Sequence, residues 1–162
     1  MDLAHTLTDV TDLEAALVTH YPALQRRLTV VLRDADAAQD IAQAAMAEAL
    51  KHRGRFAGGD ARAWLYTIGL RLAFNELRRL RRVRSRTADS EPTWAMTTDP
   101  DLWLALKELD PRQRAALLLS TLEGYTHAEV GTILGVAEGT VSSWLSRTKD
   151  RLRQVLAEEH ND

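Results

Sequence analysis

The stretch from Gly124 to Lys149, GYTHAEVGTILGVAEGTVSSWLSRTK, leaves this chain little choice of local structure. Thr126-x-x-Glu129 is a capping box, in which each side chain satisfies an orphan backbone N–H of a starting helix. Val130, Ile133 and Leu134 fall at i, i+3 and i+4, so one apolar stripe faces inward. Gly135 stands where a left-handed helix stop is needed. Only Val136 and Ala137 separate it from Glu138, whose carboxylate suits the positive end of a following helix. In that second helix Val141, Leu145, Thr148 and Leu152 form the buried face, while Ser142, Ser143, Ser146, Arg147 and Lys149 point mostly elsewhere. A hydroxyl-rich, cationic face is what a major-groove helix offers to base edges and phosphates. An ordinary helical hairpin with a solvated face has the same spacing.

The rest of the chain also reads as helix. Residues 1 to about 10 read as loose, and Thr11-x-x-Glu14 as a capping box for a helix with Leu13, Ala16 and Leu17 inward. Pro22 lacks a backbone donor and is expected to kink or restart that helix. The next amphipathic stretch runs through Leu24, Leu28, Val31 and Leu32, and Arg33-Asp34-Ala35 breaks it. Asp36-x-x-Gln39 then caps an alanine-rich helix up to about His52. RGRFAGGD, residues 53–60, reads as a loop, with Asp60 capping a long helix whose apolar positions are Trp64, Leu65, Ile68, Leu72, Leu77 and Leu80. Periodicity is lost over 83–98, which reads as a flexible linker with Trp94 and Met96 tucked onto a neighbouring surface. Asp99-Pro100 and Asp110-Pro111 are both N-cap plus first-position proline signatures. They open helices carrying Leu102, Leu106 and Leu109, then Ala115, Leu118, Leu119 and Leu122. The expectation is an all-α fold: one small helical domain over 11–82, the linker, and a helix-turn-helix domain over 99–157.

Composition narrows the chemistry. With no cysteine there is no disulfide framework, thiolate zinc site or cysteine nucleophile. His5, His20, His52, His127 and His160 form no pair with ligand spacing and a carboxylate on a shared face, and His127 reads as a surface residue. No glycine loop is followed by Lys-Ser/Thr, which argues against an NTPase. The reading is therefore of a non-enzyme with no metal and no cofactor. MDLAHTLTDV has neither the basic nor the apolar region of a signal peptide, and no apolar run reaches membrane-spanning length, so a cytoplasmic protein is expected. The net charge of −2 conceals segregation: from Arg53 to Arg86 the only acids are Asp60 and Glu76. A basic stripe in an otherwise acidic chain is a footprint of phosphate contact.

The wording of several segments goes further. Leu109-Asp110-Pro111-Arg112-Gln113-Arg114, then Glu123 to Val130, then Gly139-Thr140-Val141-Ser142-Ser143 and Ser146 to Leu152, resembles region 4 of bacterial sigma factors. The nearest match is the extracytoplasmic-function group, whose short members keep only regions 2 and 4. Region 2 of that group resembles residues from about 14 to 82. The stretch from Asp34 to Gln43 looks like the group's core-binding helix, with Gln39 in place of a glutamate and Met46 near an expected phenylalanine. Ala63-Trp64-Leu65-Tyr66-Thr67-Ile68 matches its Trp-Leu-x-x-Ile signature. Arg71 then holds a position where asparagine is expected, Asn75 one where aspartate is expected, and the terminal cluster Arg78-Arg79-Leu80-Arg81-Arg82 is kept.

The resemblance implies a sigma factor that binds the RNA polymerase core, recognises two promoter elements and opens the DNA. Asp36, Gln39, Asp40 and Gln43 would grip the clamp helices of the polymerase's largest subunit, and region 4 would meet the flap of the second-largest. Arg55, Phe56, Arg62, Arg71, Asn75, Arg78 and Arg79 would meet the −10 strand. Its melting needs an extruded base to be held and freed phosphates to be neutralised. Phe56, beside the flexible glycines, would stack on the base. Trp64 fits the core better, by its spacing with Ile68. Thr140, Ser142, Ser143, Ser146, Arg147 and Lys149 would meet the −35 element, with Arg147 the principal phosphate or guanine contact. Ser142 and Trp144 stand where the group usually has lysine and arginine, which predicts a shallow salt dependence for region 4. Trp144 fits the edge of the core, or stacks on DNA. An anti-sigma factor is a further expected partner. Two other readings stay open: a dimeric helix-turn-helix regulator, which leaves residues 34 to 82 unexplained, and a sigma-like protein that docks on polymerase but opens promoters poorly.

Overall fold

The computed structural model describes residues 3–84 and 106–159. The chain falls into two compact units, Met1–Pro92 and Thr93–Asp162. Every regular element among the described residues is helical. The linker, Trp94, Met96 and the helix opening at Asp99-Pro100 lie outside the described residues, apart from Val83 and Arg84, which continue a helix, and Leu106 and Leu109, which are buried.

The first unit packs three helices: α1 (Leu3–Leu32), α2 (Ala35–Lys51) and α3 (Ala61–Arg84), with a short 3-10 turn at Arg53–Arg55. Two sequence expectations for α1 fail. The helix starts at Leu3, which places Thr11 in its interior and not at its start, and it runs through Pro22 as one element. The reason is the stripe of Leu13, Leu17, Leu24, Leu28 and Val31, which continues on one face across the proline. A helix-interior proline costs about 3 kcal/mol, whereas fully burying each of Leu17, Leu24, Leu28 and Val31 returns roughly 2 kcal/mol. Pro22 is exposed, so its ring and the Val18 carbonyl deprived of a donor lie on the solvent side.

Arg33, with φ 59°, turns the chain out of α1. Asp34, not Asp36, caps α2: the Ala37 N–H donates to Asp34 Oδ1 at 3.0 Å. The left-handed residue fixes where the helix can begin, and so selects the first of two suitable acids. Only alanines of α2 are buried, Ala38, Ala42, Ala45 and Ala49. That seam lets its backbone come close to both neighbours. Asp60 starts α3 as expected, accepting from the Ala63 N–H at 3.1 Å. The buried face of α3 is Leu65, Tyr66, Ile68, Leu70 and Ala73, while Trp64, Leu72, Leu77 and Leu80 are half-buried.

The second unit contains α4 (Pro111–Thr121), α5 (His127–Leu134) and α6 (Glu138–Glu159). Asp110 forms a capping box with Gln113, and Thr126 forms one with Glu129. Gly135 closes α5 at φ 69°, a conformation that costs a side-chain-bearing residue about 1–2 kcal/mol. Val130, Ile133, Leu134, Val141, Leu145 and Thr148 are buried, as the pattern required.

The turn between α5 and α6 is tight because Gly131 has no side chain. A Cβ there would lie 2.7 Å from the Val136 carbonyl oxygen, and the Val136 N–H already donates to the Gly131 carbonyl at 2.9 Å. Backbone cannot swing aside as a flexible side chain can. Gly131→Val should therefore lower the second unit's stability by about 3 kcal/mol in urea denaturation. Gly139→Ala is the control: a Cβ at Gly139 meets nothing within 4 Å, so it should be neutral or mildly stabilising.

Candidate nucleic-acid interface

Three exposed faces carry the residues singled out from the sequence. On α2, Asp36, Asp40 and Gln43 follow one another at i, i+4 and i+7, with Gln39 beside them, and all four are exposed. They lie about half a turn from the alanine seam, because two residues advance a helix by roughly 200°. One helix thus keeps its packing and its polar, acidic surface on opposite sides.

On α3, Arg71, Asn75, Arg78 and Arg82 form one exposed stripe at i, i+4, i+7 and i+11, with Arg79 alongside. Several of these cations have partners within the protein. Arg71 is paired with Glu48 of α2, and Arg78 Nη2 donates to the Asn75 side-chain carbonyl. Arg79 grips Glu76 through two bonds, Nε to Oε2 at 2.9 Å and Nη2 to Oε1 at 2.7 Å. The bidentate guanidinium holds the Glu76 carboxyl below its ordinary range, and the carboxylate raises Arg79 in return. The pair's stabilisation is complete above the ordinary carboxylate range and is lost as pH falls through the lowered Glu76 value. Arg78 and Arg79 each have N–H groups beyond those used in these bonds, since a guanidinium has five.

Arg62 is half-buried and lies 3.9 Å from Asp60 Oδ2. Arg55 is exposed at the end of the 3-10 turn, and Phe56, just after it, packs on Trp64 with ring centroids 5.3 Å apart and planes inclined at 50°. Beside them opens a cleft of about 600 Å³, lined by Asp12, Leu13 and Ala16 of α1 and by Phe56, Ala57, Gly58, Gly59 and Ala61. Gly58 and Gly59 have φ 93° and 92°, so this wall is bare backbone of a kind only glycine adopts readily. Phe56 is half-buried against Trp64 and also lines the cleft, while the half-buried Trp64 braces it. Such a wall can accept a planar ring at close approach.

On α6, Ser143, Ser146, Arg147 and Asp150 form an exposed stripe, with Lys149 exposed beside it and Thr140 half-buried near the helix start. Asp150 pairs with Arg153 at 3.2 Å. Trp144 is half-buried, in keeping with the edge of the core. Ser142 is half-buried too, and its hydroxyl lies 2.8 Å from Nδ1 of His127 on α5. Sequence reasoning missed His127 as a partner of Ser142, and Glu48 as a partner of Arg71. Both contacts join residues far apart in the chain, and no local pattern announces them. Arg82 was signalled, by its spacing from Arg78, and was left out of the DNA-binding set.

Among the described residues no group of three His, Cys, Asp or Glu is placed to hold a metal ion, and no helix is long and apolar enough to cross a membrane.

Residues 17–83 match the family model for sigma-70 region 2, and residues 101–152 match that for sigma-70, region 4. The RNA polymerase sigma factor CarQ of Myxococcus xanthus is 32% identical over 155 residues, covering 90% of this chain and 89% of the relative. The ECF RNA polymerase sigma factor SigM of Mycobacterium tuberculosis is 31% identical over 165 residues, covering 94% and 81%. A solved structure of the sigma factor RpoE from Bartonella quintana, in complex with the anti-sigma factor NepR, is similar with a TM-score of 0.80 and 27% identity, covering 90% of this chain and 97% of that one.

Proposed function

Because the chain belongs to the RNA polymerase sigma factors of the sigma-70 family, in the extracytoplasmic-function group, we propose how its residues divide the work of starting transcription. The first unit docks on polymerase core through Asp36, Gln39, Asp40 and Gln43. It captures the −10 strand with Arg55, Phe56, Arg62, Arg71, Asn75, Arg78 and Arg79. The second unit reads the −35 element from the major groove with Thr140, Ser142, Ser143, Ser146, Arg147 and Lys149. A domain over 11–82 and one over 99–157, tethered through 83–98, would let each weak contact raise the effective concentration of the other.

The observation that carries the reading is the α3 stripe, four polar residues of which three are arginines, leading back along the helix toward a glycine-walled cleft with an aromatic side. Strand capture needs both parts: cations that track phosphates and a flat, apolar recess for an unstacked base. An anti-sigma partner is supported by the 27% identical sigma factor solved with NepR. The protein would act in the cytoplasm, with polymerase, and perform no catalysis of its own.

In vitro transcription with purified core polymerase across a genomic fragment library tests the whole reading. Discrete starts that depend on this protein and share two spaced motifs are expected. Core binding without starts would leave a docking protein only, provided a control sigma factor initiates with the same core. Docking has its own test. Asp36→Lys with Asp40→Lys reverses two charges on an exposed face and should weaken core affinity at least ~10-fold. Binding of the second unit to −35 duplex should stay unchanged.

A further inference from the structure

The contact between His127 and Ser142 spans the two helices of the helix-turn-helix, and the rest of the motif shows why it forms. Gly131 lies one turn beyond His127 on the same face of α5, and Ser142 lies one turn beyond Glu138 on α6. At the inner rung of this ladder a Cβ on Gly131 would be 2.7 Å from the Val136 oxygen and 3.4 Å from the Glu138 nitrogen, so the backbones nearly touch. At the outer rung the helices have diverged enough to admit an imidazole and a hydroxyl, 2.8 Å apart. The Thr126–Glu129 capping box fixes the backbone where His127 begins α5. His127 is thereby held at both its backbone and its ring.

We infer that His127 is a positioning residue for DNA reading: its Nδ1 holds the Ser142 hydroxyl in one orientation and so sets the preference for one base pair of the −35 element. The inference rests on the reading of α6 as the −35 helix. A serine hydroxyl has one donor and two acceptor sites and rotates freely when unpartnered, so alone it satisfies either donors or acceptors on a base edge. With the imidazole proton on Nε2, Nδ1 accepts the hydroxyl's single hydrogen, so Ser142 can only accept from a base edge. Neighbouring Ser143 and Ser146 are exposed. Ser142 is thus converted from an adaptable contact into a discriminating one. His127 need not touch DNA to do this.

The test uses complete holoenzyme, selected on a promoter library with a randomised −35 element and sequenced before and after. The variants are His127→Ala, His127→Asn, Ser142→Ala and the His127→Ala/Ser142→Ala double. Asparagine keeps a polar group near the position of Nδ1 and should retain part of the preference. Discrimination at one base pair should fall about 5-fold or more in both alanine variants, at the same base pair, with no further fall in the double. An unchanged profile for His127→Ala, an even loss across all sequences, or a change at a different base pair from Ser142→Ala would each overturn the inference. Thermal melts separate these outcomes from unfolding, with His127→Asn as the variant expected to keep the native melt. Wild-type holoenzyme without any −35 preference would instead remove the reading of α6 itself, and this inference with it.

Discussion

Reversing Arg78 and Arg79 to glutamate should reduce promoter opening by two orders of magnitude while leaving polymerase binding within about 3-fold. Two unit charges 4 Å apart in water interact by about 1 kcal/mol. Each reversal exchanges one attraction for one repulsion, so the pair changes about four such units, roughly 4 kcal/mol before screening. Salt reduces that toward a 100-fold effect. The two positions will not contribute equally. Arg79 is already gripped by Glu76, and Arg79→Glu sets two carboxylates three residues apart on one helix face. Arg78 is exposed and bonded to a neutral amide, so Arg78→Glu should account for most of the lost opening with little loss of helix. Permanganate reactivity of unpaired thymines measures opening, and competition for core measures docking. Equal loss of both would remove the assignment of the α3 stripe to DNA.

Replacing Arg114 should unfold the second unit more readily than any surface change. This arginine is only 4% exposed, and its Nη1 donates to the Leu109 carbonyl at 2.5 Å and the Leu106 carbonyl at 3.4 Å. It thereby ties the segment before Asp110 to α4. Arg114→Met keeps the length and apolar stem but takes the guanidinium donor from the Leu109 carbonyl, while the Leu106 carbonyl keeps the Leu109 N–H at 3.2 Å. An unsatisfied buried polar group costs about 1–3 kcal/mol, so the variant should lose about that much. At about 0.05–0.15 kcal/mol per residue, a unit of this size cannot spare that easily. Urea denaturation of the whole chain should show an earlier transition, and −35 duplex binding should fall with it. Arg114→Lys restores one cationic donor without the fork and should recover part of the loss.

These cases mark what the sequence could and could not convey. The capping box at Thr126, the N-cap at Asp110 and the stop at Gly135 were legible because each is settled within four residues of chain. The apolar faces of α5 and α6 were legible because their period matches the helix. Arg114 was read only as one letter of a family motif, since nothing local says that a charged side chain will be buried against carbonyls. The choice between Asp34 and Asp36 depended on Arg33 adopting a left-handed conformation, which neither acid encodes. Helix α1 persisted through Pro22 because its partners lay in α2 and α3, beyond the reach of a local rule. The roles of Arg71 and Ser142 were assigned from family positions. Their bonds to Glu48 and His127 become visible only once two helices lie side by side.

The alanine seam of α2 has an evolutionary consequence. A larger residue at Ala38, Ala42, Ala45 or Ala49 would press against the neighbouring helices at a cost of about 1–3 kcal/mol. The opposite face contributes nothing to that packing and is open to change. On the docking role proposed for this face, single substitutions at 36, 39, 40 and 43 would change affinity for polymerase while leaving the buried seam intact. With its docking surface as proposed, this helix carries a dial that turns independently of the frame it is mounted on.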